Sequence, residues 1–132
     1  MTAPPARAFP AVLLGGNEDT RLLLRGLLRL HRHPVLLEAS GPEGIGRLAR
    51  SDEVKILVLD VGSERAATWA DELSEILRGH PDLRAVVILP SADVALEGRA
   101  RAAGARAVLV RPFAIHDFVE AVESAGRGAP AG

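Results

Sequence analysis

The chain has no cysteine. That absence removes disulfides, thiol nucleophiles and thiolate metal sites together. No run approaches the ~18 apolar residues of a membrane span. Met1–Pro10 carries Pro and Ala but lacks the apolar core of a secretory signal. Charge of one sign is missing too: the formal net charge is −1, and the scattered arginines are balanced by carboxylates. No basic field is left for nucleic acid, and the arginines read as solvated faces. There is no internal repeat, and no Ser/His/Asp arrangement that would support hydrolase chemistry. These absences fit a cytoplasmic protein that is not an enzyme and binds neither nucleic acid nor membrane.

What is present suits one domain. A chain of 132 residues can bury roughly two thirds of its unfolded surface without a metal or disulfide staple. Residues 1–9 and 126–132 are small, rich in Pro and Gly and unpatterned, so they are expected to be disordered tails around a domain at 10–125.

Within that span, apolar runs alternate with amphipathic segments five times. The runs are Ala11–Leu14, Pro34–Leu37, Ile56–Leu59, Ala85–Leu89 and Ala107–Val110. Short, nearly unbroken Val/Leu/Ile runs are how strands covered on both faces read. Asn17 is a plausible N-cap for a helix over 18–30, with Leu23, Leu27 and Leu30 clustered, Leu24 and Leu28 beside them, and Arg21, Arg25 and Arg29 opposite. A second helix is expected from Pro42–Glu43 to about Ala49. A third spans roughly 66–78, striped by Trp69, Leu73, Ile76 and Leu77. A fourth covers 94–103 and stops at Gly104, and a fifth covers 115–125 with Ile115, Phe118, Val119 and Val122 on one face. The alternation predicts an α/β fold: a flavodoxin-like, doubly wound, five-stranded parallel sheet with five helices. Ligands of such sheets sit at the carboxyl ends of the strands. Gly15, Asp60, Leu89–Ser91 and Arg111 all fall there.

In this order the motifs resemble the receiver domain of bacterial response regulators. Val12–Leu24 resembles its opening, with Gly15–Gly16 where the family has an acidic pair. Glu38–Gly44 resembles the passage from its second strand into its second helix. Lys55-Ile-Leu-Val-Leu-Asp60 resembles the strand bearing its phospho-accepting aspartate, and Gly104–Phe113 its last strand, which ends in Lys-Pro-Phe. The resemblance covers about residues 10–125 and implies the same fold and a role in two-component signalling.

The departures bear on function. In the family the acidic pair and the aspartate hold Mg²⁺, which neutralises the transferring phosphoryl group. Mg²⁺ requires hard oxygen ligands, and Gly15 and Gly16 have none. Glu18 and Asp19 belong to the first helical turn and do not replace them cleanly. The family hydroxyl falls on Leu89 or Pro90, with Ser91 adjacent. The family lysine becomes Arg111, a planar fork rather than a point charge. The aromatic switch becomes Val108, and the Met-Pro after the aspartate is absent from 60–64. A degenerate receiver is therefore expected: no cofactor, Mg²⁺ binding disfavoured, and a stand-alone module working through a protein partner in trans.

Asp60 has three readings: slow phosphorylation, a fixed ion pair with Arg111, or solvation at a strand end. The ion pair is favoured, because removing two carboxylates leaves the cation one obvious partner. Gly15-Gly16-Asn17 could expose N–H groups to a phosphate or an acidic metabolite. A flexible turn is the plainer reading, because the P-loop lysine and the GxGxxG spacing are absent. His31 and His33 lack a third ligand and read as surface residues. His80 and His116 show no catalytic partner. Trp69 reads as packing. By analogy with the family, the partner or homodimer surface would include Val94, Leu96, Arg99, Val108, Ile115 and Phe118. The alternatives are a phosphorylatable receiver at Asp60 and a small-anion sensor at Gly15, Gly16 and Arg111.

Overall fold

The computed structural model describes residues 8–48, 53–62 and 68–128. Five parallel strands, β1 (Ala11–Gly15), β2 (Val35–Ala39), β3 (Lys55–Asp60), β4 (Leu83–Leu89) and β5 (Ala105–Val110), form one sheet in the order β2-β1-β3-β4-β5. Among the described residues four α-helices accompany it: α1 (Glu18–Leu30), α2 (Trp69–Gly79), α3 (Val94–Ala102) and α4 (Ile115–Arg127). A short 3-10 helix covers Pro42–Arg47. This is the flavodoxin-like strand order, and its chain reversal lies between β1 and β3.

Strand alternation divides the core in two. Val12, Leu14, Leu57, Leu59, Val87 and Leu89 pack beneath Trp69, Leu73 and Ile76 of α2 and Ala100 of α3. Leu13, Ile56, Val58, Val86 and Ile88 face Leu24 and Leu28 of α1 and Phe118 and Val122 of α4. Burial of each large apolar side chain contributes roughly 1.5–3 kcal/mol, so both layers are needed to hold the sheet. The Trp69, Leu73 and Ile76 stripe is buried as its helical spacing implies.

Four expectations are corrected. The buried side of α1 is Leu24 and Leu28, whereas Leu23 and Leu30 are exposed, so the helix is turned roughly a third of a revolution from the expected stripe. The second helix is a six-residue 3-10 turn. Gly44 and Gly46 weaken an α-helix there, each costing about 1 kcal/mol relative to Ala. The domain also extends past both expected boundaries. Phe9 is buried, and Gly126 and Arg127 continue α4. Gly126 is small because the Phe9 ring lies against it: a Cβ there would meet the ring at 2.5 Å. Finally, His33 is a core residue, 1% exposed. Its Nδ1 accepts the Phe9 N–H at 3.0 Å, its ring stacks on Phe9, and its Nε2 lies 3.4 Å from Glu123. The tails at 1–7 and 129–132, Ala49, and the start of the third helix at 66–67 lie outside the described residues.

Candidate functional site

Parallel pairing sets Gly15, Asp60 and Ile88 side by side at the carboxyl edge, with Leu89 beside Val110 one step on. Register alone thus brings the end of β1 to the end of β3. Arg111 follows β5 directly and its N–H donates to the Leu89 carbonyl.

Gly15 and Gly16 both lie in the left-handed region, at φ +82° and +72°, where a side chain costs about 1–2 kcal/mol. Space excludes one as well. A Cβ on Gly15 would stand 2.5 Å from the Asp60 carbonyl oxygen, and a Cβ on Gly16 would collide with Asp60 Oδ2. Glycine is therefore the residue that fits both positions of the turn. The Asp60 carboxylate fills the space that a side chain at position 16 would claim.

Asp60 is 6% exposed. Its Oδ2 lies 2.7 Å from Arg111 Nη2, the pairing favoured among its three readings. The N–H directions of Nη2 do not line up on the oxygen, so the contact is an ion pair without hydrogen-bond geometry. Beneath Arg111, the guanidinium carbon sits 6.0 Å from the Phe113 ring centroid, and that ring stacks on Phe118 at 6.0 Å. Phe118 is fully buried. It cannot belong to a partner surface, and instead forms the floor of the stack that carries Arg111.

The glycine turn is held from its other side by a residue the sequence did not single out. Arg21 Nη1 donates to the Gly15 and Gly16 carbonyls at 3.2 and 2.7 Å. Arg25 pairs with Glu38 at 2.7 Å. Neither arginine is a free solvated charge. The available signal was their spacing on the flank of α1, and it was hidden by the misplaced helix stripe. Asn17 caps α1 by accepting the Thr20 N–H.

The remaining positions stand apart from this pair. Leu89 is buried in the α2–α3 layer, and Pro90 and Ser91 are exposed at the strand end. Val108 is half-buried. Val94 and Ile115 are 86% and 58% exposed. Leu96 is half-buried, and Arg99 is exposed with its guanidinium carbon 5.8 Å from the Trp69 ring centroid. His116 reaches Glu120 on the exposed face of α4. Residues 63–67, which follow the aspartate strand, lie outside the described residues.

This site does not fit a hexacoordinate hard cation. Among the described residues it offers the Asp60 carboxylate, already paired with a guanidinium, and glycines at 15 and 16 that supply no side-chain oxygen. No group of three His, Cys, Asp or Glu suited to a metal occurs among the described residues. No described helix is long and apolar enough to cross a membrane.

No protein-family model matches the sequence, and no curated protein matches it. Solved structures do. A response regulator from Thermotoga maritima superposes with a TM-score of 0.76 at 20% identity, covering 91% of this chain and 99% of that one. A chain of the CheX–CheY–BeF3–Mg²⁺ complex from Borrelia burgdorferi gives 0.75 at 18%, covering 88% and 87%. A putative pilus assembly protein, CpaE, from Burkholderia thailandensis gives 0.72 at 22%, covering 91% and 100%. At such identities the likeness establishes architecture. The chain has the fold of a response-regulator receiver domain.

Proposed function

We propose that this chain is a degenerate receiver that signals through protein–protein contact, without phosphoryl transfer to Asp60. The observation that carries the reading is the position of the Asp60 carboxylate, lodged against Gly16 and paired with Arg111. An acceptor oxygen must be free to attack and must have a divalent cation beside it. Here the oxygen faces a fixed guanidinium and a glycine backbone. The same geometry argues against an anion sensor, because Asp60 is itself the anion at Arg111. The proposed role is non-enzymatic, cytoplasmic and without cofactor.

Contact would be made by the face built from α3, β5 and the start of α4. Val94 and Ile115 supply exposed apolar surface there, and Leu96, Arg99 and Val108 border it. Thermal melting in millimolar Mg²⁺ tests the proposal, because a ligand of the native state raises its stability. The expected outcome is an unchanged midpoint for the wild type and for Asp60→Asn alike. A rise in the wild type alone would restore a metal-dependent phospho-switch.

A further inference from the structure

The outward face of α1 is more apolar than a solvated helix requires. Leu22, Leu23 and Leu30 are 57%, 61% and 74% exposed. At about 100° per residue they surround Gly26, which lies opposite the buried Leu24 and Leu28. Gly26 has no tertiary reason to be glycine. A Cβ there would meet nothing within 4 Å, and glycine is the weakest ordinary residue in a helix interior. A glycine notch between large apolar side chains is what a closely crossing helix needs.

The charge along α1 says which helix. Glu18 and Asp19 stand in its first turn, and Arg29 and Arg32 at its far end. A two-fold axis at Gly26 sets two α1 helices antiparallel. Leu22 of one copy then meets Leu30 of the other, since both lie four residues, about 6 Å, from the axis. The acidic turn of each copy faces the basic end of its mate, and the helix dipoles oppose. Such self-complementarity is the requirement of an isologous interface. We infer that the chain forms a homodimer through antiparallel α1 helices crossing at Gly26. This surface is separate from the α3–β5–α4 face. Thirteen residues make a helix only about 20 Å long, so the contact is smaller than a standard interface and the dimer is weak and concentration-dependent.

The test is sedimentation equilibrium of the full chain over a wide concentration series. The wild type should rise from one chain mass towards two. Leu30→Glu, at an exposed position, should stay at one chain mass with its melting midpoint at low concentration unchanged, whereas Val94→Glu on the other face should dimerise like the wild type. Gly26→Leu provides a readout of opposite sign. It should raise the melting temperature at low concentration, through better helix propensity, yet weaken the dimer about tenfold or more by blocking the crossing. A wild type that stays single throughout, a dimer that survives Leu30→Glu, or one lost equally in Val94→Glu would overturn the inference.

Discussion

Asp60 keeps its carboxylate but not its neighbours, and a carboxylate this buried must find a counter-charge or pay for desolvation. Arg111 supplies it, steered from below by Phe113 on Phe118. Arg111→Met should therefore cost about 1–3 kcal/mol in urea unfolding, because it leaves a buried charge unpaired. Asp60→Asn should cost less, since Arg111 is 36% exposed and can turn to water. Equal losses would contradict a fixed pair. Gly16→Ala should lose about 2 kcal/mol or more, combining a left-handed backbone with the clash on Asp60. For the same reason, reinstating acidic residues at 15 and 16 should unfold the edge rather than build a metal site, measurable as a lowered melting midpoint with no response to Mg²⁺. The absence of an acidic pair at 15 and 16 was legible through the resemblance to receiver domains, and the Asp60–Arg111 partnership was the favoured of three readings. Arg21 and Phe118 were not legible, since their roles depend on which way a helix faces.

Helix orientation was the weakest inference among the elements. In α1, leucines occupy so much of the circumference that period alone admits several stripes, and packing selects Leu24 and Leu28. Strands were read more securely, since an unbroken apolar run has the same meaning on both faces. Their ends carry one polar device the sequence concealed. Lys55 at the start of β3 meets Asp82 just before β4 at 2.7 Å, the two side chains 5% and 8% exposed. Burial pushes the Asp82 carboxyl up. The hydrogen bond and charge of Lys55, a backbone hydrogen bond and the charge of His80 together outweigh it, and Asp82 titrates below its ordinary value. A depressed carboxylate contributes stability that is full above the unfolded-state value and is lost as pH falls through the folded one. Unfolding midpoints should thus fall with acidification below about pH 4, with a shallower slope in Asp82→Asn. Asp82→Ala should cost about 3 kcal/mol at neutral pH by removing the carboxylate from a buried ion pair. An unchanged acid slope in Asp82→Asn would show the pair to be inconsequential.

Across the whole molecule, alternation of runs and amphipathic segments was enough to give the sheet, its parallel sense and the edge that brings Gly15, Asp60 and Arg111 together. The extent of the fold was not visible, because Phe9 and Gly126 sit in sequences that look like tails. They become core only through each other and through His33. The same architecture as a response regulator from Thermotoga maritima is here combined with an edge where Asp60 is already engaged by Arg111. The central claim is that this engagement prevents phosphorylation. Intact mass after incubation with acetyl phosphate and Mg²⁺, beside Asp60→Asn, tests it most directly. The account predicts no adduct on either folded protein, and a phosphate-sized increment on the wild type alone would contradict it.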